Sequence, residues 1–418
     1  MANQITTSSN FPSGFNNVTL RGIPITQSHP GLVYWVSNDP NSLTQGQISG
    51  SDGNPGTFNA PFATLQYAVS RCLHGRGDII FVKPNHDELI SVATANLEGG
   101  AVTANALSLY KSNVAIIGLG TGTNRPTLTF TAAAAAIVLG GQPGAASSCT
   151  IAALSNTMTL TTLTTGTFLP GSYLYAATII PGTRIVSQVS GVAGGAGVYT
   201  LDCIQPVVTT TATVYASQGV GVSMQNFLFI SMFADVATVF KATALSLPKD
   251  FALEKCEFRD TSSVLNFLTI VTQPATTANS MDGLVFDGNK ISSLGTTAAT
   301  TAIKFVAAND NVSIRDNFGT WAVLNDTAAM LATGANNVTN FDFGRNRLNK
   351  PNTSSTGGSF ISTSATAWTG HAYDNYLWQL DASAGIWIAT GSKLAFSNNL
   401  SPITGAADAN GLANPAAV

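Results

Sequence analysis

The residues with the clearest capacity for chemistry are two aspartates placed evenly about an arginine. Arg345 follows Asp316 by 29 residues and precedes Asp374 by 29. A pair of carboxyl groups flanking a glycosidic bond is the arrangement that glycosidases use. A cation between the two carboxylates would keep both ionised, whereas a general acid needs a raised pKa. We therefore predict an ion ladder of Asp316, Arg345 and Asp374, and no catalytic residue.

Three consecutive residues, His86, Asp87 and Glu88, could suggest a metal or acid–base site. They follow an apolar run that is typical of a strand, and neighbouring residues of a strand point to opposite faces. Three adjacent ligands would converge poorly. We predict no metal and no cofactor in this chain.

Four tryptophans lie in the C-terminal part of the sequence: Trp321, Trp368, Trp378 and Trp387. They could stack on sugar rings. Large aromatic side chains also close the open end of a fold or fill a subunit interface, and we favour that role.

Nucleotide and nucleic-acid binding are disfavoured. Gly118, Gly120 and Gly122 imitate a nucleotide loop, but no further spaced glycine, no helix and no GK[ST] sequence follows, which indicates a β turn. The net charge of −3 leaves no basic stripe for a phosphate backbone. No apolar run is long enough to span a membrane, and the polar start MANQITTSSN lacks the features of a signal peptide. We expect a chain made in a cytoplasm.

The four cysteines, Cys72, Cys149, Cys203 and Cys256, show no CxxC spacing. We interpret them as buried reduced thiols, because metal sites need clustered ligands. A bridge between Cys149 and Cys203 is the alternative.

The elements that would position these residues form a repeat. Seven segments align with Phe227 and Cys256 followed by five asparagines in one column: Asn289, Asn317, Asn346, Asn375 and Asn398. The columns two positions later and three positions earlier are apolar except at Gly319. A period near 29 residues predicts one coil per repeat, with strands stacked about 4.8 Å apart. We expect an asparagine ladder, with the asparagines in the left-handed turn conformation. Asp316 and Asp374 would then lie about 9–10 Å apart, at the upper limit for an inverting glycosidase pair.

A charged fraction of only 9% suits short threonine-rich strands with many turns better than helical bundles. We predict an all-β fold, a right-handed parallel β-helix with an N-terminal capping helix at 59–72 and an inserted small β domain. Its predicted divisions are an extended arm at 1–40, the capping helix and first coils at 41–142, the insertion at 143–216, the coils with the ladder at 217–401 and a tail at 402–418.

The arm carries isolated apolar residues that would order on a partner: Phe11, Phe15, Leu20, Ile23 and Ile25. We interpret them as the anchors through which the arm attaches to that partner.

Three runs carry a resemblance to a known family: SDGNPGTFNAPFATLQYAV, GDIIFVKPNHDELI and NVAIIGLGTGTNRPTL. They resemble the opening of pectate-lyase-like β-helix proteins among the structural proteins of tailed bacteriophages. The resemblance implies a virion component, usually trimeric, with a β-helix shaft.

Three functions follow from this reading. The first is a non-enzymatic homotrimeric capsid decoration, cement or head-spike protein on the virion surface, bound to the major capsid protein through its arm. The second is a tailspike or tail fibre, attached to tail or baseplate proteins, that binds or cleaves a host surface polysaccharide. Against it we count the missing long particle-binding and trimerisation domains. A free polysaccharide lyase is disfavoured because no secretion signal and no acidic calcium cluster is visible.

Overall fold

The structure is a computed structural model of the 418-residue chain. It describes residues 19–20, 23–24, 31–40, 46–94, 103–141, 144–206, 209–210, 213–242, 246–273, 280–294, 301–321, 330–334, 336–350, 360–363, 368–379 and 393–399.

Three parallel sheets form a rod, and along the sequence strands of sheet 1, sheet 2 and sheet 3 follow one another repeatedly. Sheet 1 contains the strands Val33–Val36, Ile79–Val82, Ala115–Gly118, Ser223–Gln225, Ala252–Glu254, Val285–Asp287, Ser313–Arg315, Phe341–Gly344, Thr369–Tyr373 and Lys393–Ser397. Sheet 2 contains Asp87–Ile90, Thr127–Phe130, Leu228–Ser231, Glu257–Asp260, Lys290–Ser292, Phe318–Thr320, Arg347–Lys350 and Tyr376–Gln379. Sheet 3 contains Leu107–Leu109, Ile137–Leu139, Phe240–Ala242, Val271–Thr272, Ile303–Lys304, Leu331–Gly334 and Ile361–Thr363. A parallel pair of Asn309–Asp310 and Val338–Thr339 adds a short ladder beside them.

This succession is a right-handed parallel β-helix, as the sequence predicts. Each strand pairs with the equivalent strand one coil away, as where Leu228–Ser231 pairs with Glu257–Asp260. The apolar columns point inward and stack on themselves. The rings of Phe229 and Phe258 are stacked with their centroids 4.9 Å apart, and Phe286 of sheet 1 packs against Phe258 from across the core at 5.9 Å. Burial of such columns is the main stabilising contribution to the rod.

The apolar column is interrupted at Gly319 for a steric reason. The backbone of Gly319 has a φ of +123°, and a Cβ built on it would lie 2.0 Å from the carbonyl oxygen of Ile291. Any larger residue would therefore separate the two coils at this point.

A seven-residue helix, Leu65–Arg71, covers the core near the first coils. Thr64 caps it by accepting a hydrogen bond from the backbone N–H of Tyr67, and Asp52 accepts hydrogen bonds from the N–H groups of Ala63 and Thr64. Leu65 is fully buried. The predicted capping helix is therefore present, although it begins later than residue 59.

An antiparallel β unit is inserted between Ile137–Leu139 of sheet 3 and Ser223–Gln225 of sheet 1. Its strands are Gly144–Ile151, Ser155–Gly166, Tyr173–Tyr175, Ile185–Gly191, Gly197–Gln205, Thr209–Thr210 and Val214–Ser217. It has a separate apolar core around Phe168 and Tyr199. The division of the whole chain into five parts, with the insertion at 143–216, stays a prediction.

Candidate functional site

The asparagine column forms the turn between sheets 1 and 2 on successive coils. The side-chain oxygens of Asn317, Asn346 and Asn375 each accept a hydrogen bond from the backbone N–H of the column residue one coil earlier, at 2.9–3.1 Å. Their amide nitrogens donate to backbone carbonyls of that earlier coil at 2.8 Å. Asn289 continues the row toward Cys256. The row is buried and holds consecutive turns in register.

The last member of the predicted ladder is wrong by one residue. Ala372 lies opposite Phe396 rather than Ala395, so Asn399 takes the position beside Asn375. The backbone N–H of Asn375 donates to the side-chain oxygen of Asn399 at 3.1 Å. Asn398 is exposed and has a φ of 50°.

The left-handed backbone also falls one position earlier than predicted. The residues immediately before the asparagines adopt it: Asp316 (φ 55°), Arg345 (φ 53°) and Asp374 (φ 52°). The turn therefore points these three side chains outward as one exposed row, while the ladder asparagines point inward.

Two members of the predicted ion ladder are brought together. Nε of Arg345 lies 2.8 Å from Oδ1 of Asp316, and Nη2 lies 2.6 Å from Oδ2. Hydrogen bonding to Arg345 holds the pKa of the Asp316 carboxyl below its usual value. Arg345 also donates through Nη1 to the hydroxyl of Tyr373, 3.1 Å away. Within the described residues, no ion pair joins Arg345 to Asp374.

A second exposed row consists of the residues that directly follow the ladder asparagines. Phe318, Arg347 and Tyr376 are in direct register as the first residues of three neighbouring strands of sheet 2. Phe318 and Tyr376 each expose 46% of their surface. Sequence reasoning missed this row. Its signal was an aromatic residue at an outward position of a strand, where a core role is excluded.

The two rows border a shallow groove of about 520 Å³, lined by Asp316, Asn317, Phe318, Arg345, Arg347 and Asp374. We call it the turn groove. One wall carries carboxylates and a guanidinium, and the other carries the ring of Phe318 and a second guanidinium, with Tyr376 on the strand next to Arg347. Such a surface can stack on flat apolar faces and can hydrogen-bond hydroxyl or anionic groups.

His86 and Glu88 form a buried structural pair. Nε2 of His86 lies 3.1 Å from Oε2 of Glu88, and the same oxygen accepts a hydrogen bond from the backbone N–H of Leu65 at the start of the helix. Nδ1 of His86 accepts from the N–H of Asn38, so Nε2 is the atom that donates to Glu88. Asp87 is exposed and bonds Thr129 instead. These three residues do not converge on one point. In the described parts of the chain, no group of three or more potential ligands could hold a metal.

The two C-terminal tryptophans whose side chains are described lie inside the rod. Trp321 and Trp368 are buried in the core, and Nε1 of Trp368 donates to the carbonyl of Asn336. The side chain of Trp378 and all of Trp387 lie outside the described residues.

Other sequence candidates fall into structural roles. Gly118 ends a strand of sheet 1 and Gly122 begins the 3-10 turn Gly122–Asn124, so no nucleotide loop forms. The four cysteines are free. Burial raises the pKa of Cys149 and Cys256 to about 12, which keeps both thiols protonated at neutral pH.

Only two of the five proposed capsid anchors lie in the described part of the chain. Leu20 and Ile23 pair in a short antiparallel ladder, while Phe11, Phe15 and Ile25 lie outside the described residues. Across the part of the chain that is described, no helix is long and apolar enough to cross a membrane.

Two further clusters of charged residues each have a buried carboxylate. Glu257 is 2% exposed and pairs with Arg125, with Arg259 at 2.6 Å and with Lys290 at 3.2 Å. Asp78 is fully buried and pairs with Arg76, two residues away.

The solved structures to which the chain is similar include phage tailspikes and a glycoside hydrolase. No protein-family model matches the sequence, and no curated protein is similar to it. The tailspike gp61 of Pseudomonas phage phi297 is 11% identical, with a TM-score of 0.20, over 77% of this chain and 64% of its own. The tailspike gp49 of Pseudomonas phage LKA1 is 11% identical, with a TM-score of 0.30, over 80% of this chain and 69% of its own. A structure described as a glycoside hydrolase is 9% identical, with a TM-score of 0.28, over 88% and 96% of the two chains.

The predicted resemblance to β-helix proteins of tailed phages holds at the level of the fold, as the three parallel sheets of this chain show. The prediction that the chain is not an enzyme is contradicted, because a glycoside hydrolase stands among the structures with this fold.

Proposed function

We propose that the chain is a phage virion protein of the tailspike type that binds a bacterial surface polysaccharide in the turn groove. The observation that carries this proposal is the row of Phe318, Arg347 and Tyr376, in which two half-exposed rings flank a cation on three consecutive coils. The sequence analysis preferred a capsid decoration role. An aromatic groove supports the second hypothesis better, because a cementing protein needs no exposed rings on its shaft.

The chemistry of the groove suits a chain of sugars. Pyranose rings have apolar faces that pack on aromatic rings, and their hydroxyls hydrogen-bond to planar charged groups. Phe318 and Tyr376 lie two coils apart, about 9–10 Å along the rod. An extended ligand running along the rod could therefore contact both rings.

The groove is also rigid before any ligand arrives. Asn317 lines the groove and belongs to the buried row with Asn346 and Asn375, in which each turn is fixed to the next by side-chain to backbone hydrogen bonds. A preformed site loses little conformational entropy on binding. The bidentate pair of Asp316 and Arg345 fixes the opposite wall in the same way.

Cleavage of the bound glycan is the second candidate function, favoured by the two carboxylates of the groove. Arg345 holds both oxygens of Asp316. Asp374 is exposed, and no ion pair or side-chain hydrogen bond to another described residue engages its carboxylate. Asp374 is therefore the group that would exchange a proton with a substrate or with water.

A panel of purified bacterial capsular and O-antigen polysaccharides, with the full chain as the protein, tests the proposal. We expect at least one polysaccharide to bind, and the Phe318→Ala and Tyr376→Ala variants to bind it about tenfold more weakly, as expected when a central aromatic contact is lost. Phe233→Ala is the matched control, since Phe233 is an exposed phenylalanine outside the groove, with 42% of its surface accessible. Binding that is unchanged in both groove variants, or absent across the panel, would overturn the proposal.

The same samples separate binding from cleavage. Size-exclusion chromatography of the polysaccharide after incubation reports depolymerisation, which Asp374→Asn should abolish while leaving binding in place. Quantifying the chain in purified particles separates the tailspike from the decoration role, because a tailspike is present in tens of copies and a decoration protein in hundreds.

A further inference from the structure

We infer that Arg347 makes the turn groove selective for acidic polysaccharides by binding a carboxylate or another anionic substituent of the glycan. This inference rests on the proposed function and names the substrate class of the same site.

The two arginines of the groove differ in what they contact. The guanidinium of Arg345 is engaged by Asp316 through two hydrogen bonds of 2.8 and 2.6 Å and by the hydroxyl of Tyr373 at 3.1 Å. The guanidinium of Arg347, two residues later on the same coil, is exposed and forms no ion pair or hydrogen bond with another described residue. Arg347 therefore has its donors available to a ligand.

The position of Arg347 directs those donors to the sugar. Arg347 is paired in register with Phe318 on one side and with Tyr376 on the other. Each neighbouring strand lies about 4.8 Å away, so a sugar stacked on either ring places its substituents beside the guanidinium. Guanidinium groups bind carboxylates through two parallel hydrogen bonds. The hydroxymethyl group of a neutral sugar, which stands where a uronic acid has its carboxylate, cannot accept both bonds.

The charge on the opposite wall orients such a ligand. The charge of Asp316 is offset by Arg345, which leaves Asp374 as the uncompensated carboxylate of that wall. An anionic substituent is repelled by Asp374 and attracted by Arg347. The acidic group of the glycan is therefore expected to face the aromatic wall.

The test compares one acidic polysaccharide of the panel with its carboxyl-reduced form, in which each uronic acid has become a neutral sugar. We expect the wild-type chain to bind the acidic form about tenfold more tightly, as a charge-assisted bidentate contact predicts. Arg347→Gln should lower binding of the acidic form to the level of the reduced form and leave the reduced form unaffected. Arg347→Lys should give an intermediate affinity for the acidic form. Arg71→Gln, which removes an exposed arginine of the capping helix, should change neither.

The outcomes separate this inference from the proposed function. Equal binding of the two forms by the wild-type chain, or an equal loss on both forms in Arg347→Gln, would overturn the role of Arg347 while the groove remains a glycan site. If neither form binds and the Phe318→Ala variant behaves as the wild type, the proposed function fails and the inference fails with it.

Discussion

The side-chain oxygen of Asn346 accepts hydrogen bonds from both the backbone N–H and the side-chain amide of Asn317, at 3.1 and 3.0 Å. Asn346 in turn donates from its own amide to the carbonyl of Ile314 at 2.8 Å. Its amide also donates to the side-chain oxygen of Asn375 at 3.0 Å, so one buried side chain bonds four polar groups. No apolar residue of similar size could satisfy those groups.

The first prediction concerns that residue. Asn346→Ala leaves the N–H of Asn317 and the carbonyl of Ile314 without their partners. Because each buried group left unsatisfied costs about 1–3 kcal/mol, we expect the free energy of unfolding to fall by about 3 kcal/mol. Urea denaturation measures the change. A loss below about 0.5 kcal/mol, the range of ordinary surface substitutions, would show that the ladder has no role in stability.

The second prediction compares two adjacent asparagines near the end of the described rod. Asn399→Ala should destabilise the chain because Asn399 is buried and bonds both Asn375 and the carbonyl of Ala372. Asn398→Gly should be close to neutral, since Asn398 is exposed and glycine readily adopts its φ of 50°. Thermal unfolding of the two variants, side by side, checks the register directly. The opposite ranking would restore Asn398 to the ladder.

The coil period and both apolar columns could be predicted because they depend on local alternation, which repeats along the sequence. The register of the last strand could not. The final repeat is shorter, and the amino-acid sequence alone is compatible with either Ala395 or Phe396 opposite Ala372. Strand pairing decides such a choice through hydrogen bonds, which a sequence alignment does not contain.

Only one wall of the turn groove could be predicted from the sequence. The charged wall was predicted because the charges of its residues alternate from coil to coil: Asp316, Arg345 and Asp374. Phe318 and Tyr376 were not considered because aromatic residues are usually assigned to the core. Their exposure follows from the turn: the ladder asparagine points inward, so the next residue must point outward.

The third prediction concerns Glu257, which is buried against three cations. Burial alone would raise the pKa of this carboxyl, but hydrogen bonds and charges from Arg259 and Lys290 bring it below its usual value of 4.5. Glu257→Gln should lower the free energy of unfolding at pH 7 by about 2–3 kcal/mol, less than for a fully buried pair, because Arg259 and Lys290 reach water. Urea denaturation measures it.

The pH dependence of Glu257 gives a second measurement on the same variant. A carboxyl whose pKa is lower in the folded state stabilises the fold above its usual pKa of 4.5, and that stabilisation is lost as the pH falls through the folded value. The difference between wild type and Glu257→Gln should therefore shrink below pH 4.5. Glu254→Gln, a change on the same coil, serves as the control. A difference that stays constant down to acidic pH would contradict the assignment.

The last prediction concerns the exposed pair of Asp316 and Arg345. Both side chains are nearly half exposed, at 48% and 46%, so water screens their attraction and Asp316→Asn should change the free energy of unfolding by only about 0–1 kcal/mol. Because Arg345 lowers the pKa of Asp316, the small contribution of the pair is present above the usual pKa of 3.8 and is lost as the pH falls through the folded value.

The effect of the same substitution on glycan binding should be larger and of opposite sign. Asp316→Asn frees the guanidinium of Arg345 and removes one negative charge from the turn groove, so an acidic polysaccharide should bind several times more tightly at low ionic strength. Raising the salt concentration should reduce the gain. Asp235→Asn is the matched control, because Asp235 is also exposed, has a φ of 53° and lies outside the groove. If the two variants bind acidic polysaccharide equally, the charge of Asp316 does not reach the ligand, and the glycan must lie along another face of the rod.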